Sequence, residues 1–232
     1  MTLLNGLLAQ ASQEPFVRWN WVVDHLDDIR GRFAEHIELT AIAVAIGLLI
    51  SIPLAVFAHR HRKVYAPITW VTGLLYAIPS LALFAVLVPF TGLTTKTAEI
   101  GLVSYTLLIL IRNTVAGLNA VPADAKDTAI GMGYTPRQLL WRVELPLSLP
   151  VVIAGIRLAT VTTIGLVTVT ALIGKGGLGQ FILEGLRRSF PTEILVGAVL
   201  SVALALVADA LLLVAQKLLT PWARRERVRA FG

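Results

Sequence analysis

The chain has 232 residues, 56% of them hydrophobic and only 15% charged, with a mean hydropathy of +0.77. A soluble domain is roughly half apolar and a quarter charged, so this balance selects a one-domain bilayer protein. The absence of cysteine excludes disulfides and thiolate metal sites, and the net charge of +6 fits basic loops on anionic membrane lipid better than nucleic acid, since no basic patch is interleaved with aromatics.

At the N-terminus, "LLNGLLAQA" (3–11) ends in a small-residue pattern but lacks a basic lead and a long apolar core. It reads as a peripheral amphipathic lead-in rather than a cleaved signal. The segment 1–35 is expected outside the membrane. Crossing the hydrocarbon takes about 20 apolar residues, and five stretches qualify: 39–58, 68–90, 100–118, 149–173 and 194–216. Nothing repeats at a fixed period. The expected domain therefore runs over 36–216, with a cytoplasmic loop at 119–148 and a basic tail at 217–232. "HRHRK" (59–63) follows the first span and "KLLTPWARRERVR" (217–229) the last. Basic residues beside spans mark the cytoplasmic side, which predicts N-out and C-in. Prolines 53, 79 and 89 lie inside spans and predict kinked helices packed together.

The loop is built to a plan. Pro122 suits a first helical turn, with Asp124 and Asp127 at its positive end. Glycine in "GMG" (131–133) closes that helix. Thr135, Pro136 and Gln138 then form a capping box for a second helix. Leu139, Leu140 and Val143 are its apolar stripe, Lys126 lies on the polar side, and Pro146 and Pro150 are expected to stop it before the next span. About thirty residues of capped structure, where a plain connection needs a few, imply a docking surface.

The loop resembles the cytoplasmic pattern of permeases of binding-protein-dependent ABC importers, E-A-A-x3-G-x9-I-x-L-P. Asp127, Thr128, Ala129, Gly133, Val143, Leu145 and Pro146 stand at matching spacing, with Asp for Glu, Thr for Ala and Val for Ile as departures. "AIPSLALF" (77–84), "ILIRNTVAGL" (109–118), the run 131–157 and "ALIGKGGLGQFI" (171–182) look like the osmoprotectant branch, for glycine betaine, choline and carnitine. The resemblance covers roughly 36–215. It implies an all-α, five-span type I permease fold, like that of methionine importers, in the bacterial cytoplasmic membrane. It also implies a coupling helix seated in a groove of an ATPase subunit, a second permease copy or relative, and an external substrate-binding protein. ATP and Mg would belong to the partner ATPase, with no cofactor on this chain.

"GKGGLG" (174–179) fails as a phosphate loop, because Gly176 stands where Ser or Thr is needed. It reads as a flexible joint into an amphipathic helix with Leu178, Phe181, Ile182 and Leu186 on one face. The resemblance places Gly174, Gly176, Gly177 and Gly179 near an external gate, while an interfacial helix on lipid is the plainer alternative. Arg112, Arg157 and Asp209 share a depth near the cytoplasmic ends of their spans. Intramembrane charges are usually paired or face water, and snorkelling to headgroups is the other reading. The four histidines lack metal-ligand spacing, and no catalytic motif is present. Rival readings are a methionine importer, an ion-coupled secondary transporter, which predicts paired broken helices and mid-bilayer acids, and a membrane anchor with no transport path.

Overall fold

The computed structural model describes residues 16–223; the lead-in at 3–11 and the arginines of the tail beyond 223 lie outside the described residues. Everything described is helix or connection. A short α1 (Trp19–Asp24) breaks at His25 into α2 (Leu26–Arg60), a helix of 35 residues. At 1.5 Å per residue α2 is about 52 Å long, well beyond the roughly 30 Å of hydrocarbon. The external segment expected to end at 35 is thus continuous with the first span. Asp27 and Asp28 sit in its first turn, where acids favour the positive end of the helix dipole.

The second expected span is a correction. Residues 68–90 do not form one kinked helix: α3 (Arg62–Ala77) and α4 (Ser80–Thr91) meet at 93°. The residue before a proline is pushed out of helical geometry, and Ile78, before Pro79, is extended at φ −65°, ψ 127°. Neither piece, at about 24 and 18 Å, reaches across the hydrocarbon. The Tyr105 hydroxyl donates to the Ile78 carbonyl, supplying a partner that an opened helix in lipid must find. Among the described residues, four helices are long and apolar enough to cross a membrane, or five if the bent pair counts as one span.

Thr94 caps α5 (Thr95–Asn119) through its hydroxyl. α5 is the centre of the bundle: 56% of its apolar window is buried, against 6% for α10 (Pro191–Leu219). α2 packs along one side of α5 and α8 (Leu145–Val169) along the other. Small residues let them approach; a Cβ on Gly47 would stand 2.1 Å from Thr106 Oγ1, and one on Gly155 would stand 2.4 Å from Asn113 Cβ.

Pro146 and Pro150 do not stop the second loop helix. α6 (Ala123–Gly131) and α7 (Pro136–Leu139) are followed by a π turn (Leu140–Glu144) that feeds into α8. The Leu145 N–H reaches back five residues to the Leu140 carbonyl. That wider turn sits where Pro146 has no N–H to give. Helix therefore continues from Pro136 to Ile173, 38 residues. A 3₁₀ turn (Thr170–Ile173), a left-handed Gly174 and α9 (Gly179–Arg188) complete the far end. There Trp21 stacks on His25 at 4.3 Å and meets Phe181 and Phe190 edge-on, tying α1 to α9 and the start of α10.

Candidate coupling site and intramembrane charges

α6 closes by a Schellman turn. Tyr134 N–H donates to the Ala129 carbonyl at 3.1 Å and Gly133 N–H to Ile130 at 2.9 Å, with Gly133 left-handed at φ +84°. The cap of the next helix, Thr135, follows directly. Gln138 N–H donates to Thr135 Oγ1 at 3.3 Å, and Thr135 N–H donates to Gln138 Oε1 at 2.8 Å, the reciprocal capping box with Pro136 at the first position.

These helices are braced against the bundle. Glu144, 7% exposed, takes Lys126 Nζ at 3.3 Å from α6 and His59 Nε2 at 3.6 Å from the end of α2. His59 Nδ1–H donates to Asn119 Oδ1 at 2.9 Å, Lys126 donates to the Leu118 carbonyl at 3.4 Å, and Arg60 donates to the Pro136 carbonyl at 2.9 Å. A buried carboxylate is tolerable only when paired, and this pairing joins α2, α5, α6 and α8 at one point. Lys126, expected on the polar side of the loop, therefore also belongs to the frame of the site.

The faces differ from the expected stripe. Leu140 and Ala129 are buried within the chain, and Leu139, Val143, Leu145 and Pro146 are half-buried. Asp127, Thr128 and Gly133 are exposed. The apolar side chains offered outward are Ile130, Met132 and Trp141, each more than half exposed. Periodicity finds the stripe through Leu139, Leu140 and Val143 but not whether it faces in or out. The sequence signal for the outward face is a tryptophan beside Arg142 on the charged side of the helix.

At the opposite end Gly176, Gly177 and Gly179 are close-packed and do not form a flexible joint, while Gly174 is exposed and a Cβ on it would meet nothing within 4 Å. A Cβ on Gly176 would lie 2.4 Å from Ala171 N, one on Gly177 would lie 2.8 Å from His36 backbone, and one on Gly179 would lie 2.4 Å from the Thr168 carbonyl. His36, fully buried, donates from Nε2 to the Ile164 carbonyl at 3.0 Å. Gln180 Nε2 donates to the Ala171 carbonyl at 3.3 Å. Of the expected apolar face of α9, Leu178 and Phe181 are buried, Ile182 is half-buried and Leu186 is exposed.

The three intramembrane charges divide. Arg157 makes a two-pronged contact with Asp209, Nε to Oδ1 and Nη2 to Oδ2, both 2.8 Å. Its third nitrogen reaches Gln216 Oε1 at 3.3 Å, and Gln216 donates to the Pro150 carbonyl at 2.8 Å. Such a fork both orients and binds, and here it locks α8 to α10. Arg112 takes no part; its side chain is exposed beside α3.

Residues 44–225 match the family described as "Binding-protein-dependent transport system inner membrane component". The chain belongs to that family of ABC transporter permeases. The choline transport system permease protein OpuBB of Bacillus subtilis is 39% identical over 187 residues, 81% of this chain and 86% of that protein. The osmoprotectant import permease protein OsmW of Salmonella typhimurium is 35% identical over 207 residues, 87% and 96% of the two. The carnitine transport permease protein OpuCB of Listeria monocytogenes is 39% identical over 192 residues, 83% and 88%. Among solved structures, a chain of the inward-facing MetNI methionine ABC transporter superposes with a TM-score of 0.76 at 20% identity, covering 85% of this chain and 98% of that one. At that identity the likeness establishes the fold, a type I importer permease.

In this permease the fork between α8 and α10 makes a checkable case. Replacing Asp209 by Leu strands a guanidinium in an apolar face, whereas replacing both partners by Leu leaves no orphan charge. Asp209→Leu is expected to lower the yield of folded, monodisperse protein severalfold, and Arg157→Leu with Asp209→Leu to restore most of it. Additive losses in this double-mutant cycle would mean that the two residues act independently.

Proposed function

We propose that this chain is the permease subunit of an ATP-driven importer that moves a quaternary ammonium osmoprotectant, of the glycine betaine, choline or carnitine class, across the bacterial cytoplasmic membrane. It crosses five times, with the broken α3–α4 pair as one crossing, N-terminus outside and C-terminus inside. Two permease copies, or this chain and a relative, pair with two ATPase subunits and an external substrate-binding protein. ATP and Mg bind the ATPases, and this chain performs no chemistry of its own.

The observation that carries the reading is the braced loop. Ile130, Met132 and Trp141 present an apolar surface outside the bundle, while Glu144, Lys126, His59 and Arg60 fasten the same two helices to the ends of α2, α5 and α8. A push on the outer surface is then delivered to three long helices at once. A continuous helix from Pro136 to Ile173 carries it from the loop to the glycine run at the other end, which the reading makes the external gate. Alternating access follows from ATP-driven closure of the partner subunits. The names of the relatives support the substrate class, whose ammonium an aromatic cage on the binding protein would hold.

The test is uptake by the purified complex in vesicles. ATP and binding protein together should drive accumulation of betaine, choline or carnitine; transport of methionine and none of these would reassign the substrate. A cytoplasm-active reporter should be active after Gly232 and silent at Thr94, and the reverse pattern would invert the orientation.

A further inference from the structure

Arg112 and Trp70 share a concavity between α3 and α5. Thr69, Trp70, Gly73 and Arg112 line it with Ala66 and Leu74, and its volume is about 350 Å³. Small-molecule sites run from roughly 300 to 1,000 Å³. Trp70 lies eight residues from the start of α3 and Arg112 seven from the end of α5. At 1.5 Å per residue both are about 10–12 Å in from the same end, at one depth. The groove between α2, α8 and α10, by contrast, is lined almost wholly by alkyl groups, as lipid or a neighbouring helix requires.

Two features make the concavity more than a dent. Arg112 has no hydrogen-bond or ion-pair partner among the described residues, whereas Arg157 at similar depth is fully engaged. A guanidinium at membrane depth needs an anion or water. Beside it, the indole of Trp70 is 67% exposed, flanked one turn away on its own face by Ala66 and Gly73, and a Cβ on Gly73 would meet nothing within 4 Å.

We infer that this concavity is a transit site for the substrate inside the permease, with Trp70 receiving the quaternary ammonium and Arg112 the carboxylate of a zwitterion such as glycine betaine or carnitine. The inference rests on the proposed function and adds a preference to it. Indole is the best side chain for a cation over its face, and guanidinium binds carboxylate through two parallel N–H groups. Choline has the first group and lacks the second, so Arg112 separates the two kinds of substrate.

The experiment measures uptake of glycine betaine, carnitine and choline by the whole complex in vesicles of defined lipid, with wild type and three variants. A charge-assisted hydrogen bond contributes about 1.5–3 kcal/mol, so Arg112→Gln should lower the betaine-to-choline uptake ratio about tenfold or more. Trp70→Ala should reduce uptake of all three. Gly73→Leu, whose Cβ would meet nothing within 4 Å and whose side chain projects into the concavity, should do the same while leaving abundance and assembly intact; it guards against a folding defect in the other two. An unchanged ratio in Arg112→Gln, or full transport by Gly73→Leu, overturns the site. So does a defect in Arg112→Gln that appears only in vesicles containing anionic lipid, which would make Arg112 a headgroup anchor. A wild-type complex that imports choline alone removes the carboxylate argument. One that imports none of the three overturns the substrate reading itself.

Discussion

Gly179→Val should remove most folded permease from the membrane. A Cβ at this position would lie 2.4 Å from the Thr168 carbonyl oxygen and 2.5 Å from Thr168 Cα, and backbone inside a packed span cannot swing aside as a side chain can. Overpacking costs about 1–3 kcal/mol when side chains can adjust. The cost here should lie at or above the top of that range, a large part of the 5–15 kcal/mol that holds a typical domain. Gly31 gives the control, because a Cβ there meets nothing within 4 Å and it lies in the exposed early turns of α2; Gly31→Ala should match wild type. Membrane abundance and the thermal midpoint of the solubilised protein check both. Wild-type stability for Gly179→Val would mean that α9 stands off from α8, and the close packing of the glycine run would be wrong.

How far the sequence reveals these features depends on the reach of the physics involved. Caps are local, so the Schellman turn at Gly133 and the box at Thr135 and Gln138 can be read from a dozen residues. Hydropathy locates greasy segments but not their continuity: 68–90 is uncharged throughout, and only the backbone shows that Ile78 and Pro79 turn the chain by 93°. Depth follows from counting along a helix, which put Arg112, Arg157 and Asp209 at one level. Azimuth does not, so which arginine meets Asp209 depended on how α5, α8 and α10 are rotated. The Lys126–Glu144 contact is eighteen residues apart in the chain and exists because a π turn at Leu140–Glu144 aims the acid back at α6. No periodicity announces that turn; a proline two residues beyond it is the only trace.

The second large effect is expected at the loop itself. Gly133 sits at φ +84°, and a Cβ there would meet nothing within 4 Å, so the demand is for left-handed backbone and not for space. Residues other than glycine pay about 1–2 kcal/mol for that geometry, Asn least, and a β-branched side chain more. Gly133→Asn should therefore couple nearly as well as wild type, while Gly133→Val should redirect the chain between α6 and α7 and uncouple it. In the uncoupled protein the spans remain inserted and the binding protein still docks, yet loaded binding protein no longer stimulates ATP hydrolysis. The outward apolar side chains sharpen the case. Trp141→Ala together with Met132→Ala removes exposed surface without opening a cavity in the chain, so stimulation should fall about tenfold or more with thermal stability unchanged. Leu140→Ala empties a buried position and should instead lower stability by about 2–5 kcal/mol. Breaking the brace by Glu144→Gln should act in a third way: ATPase subunits still co-purify, because the outer surface is intact, but hydrolysis and uptake lose their link as the push no longer reaches α2 and α5. If Trp141 and Met132 can be removed with full stimulation while Leu140→Ala alone uncouples at unchanged stability, the partner subunit reads the stripe through Leu139, Leu140 and Val143, and the loop must open to present it.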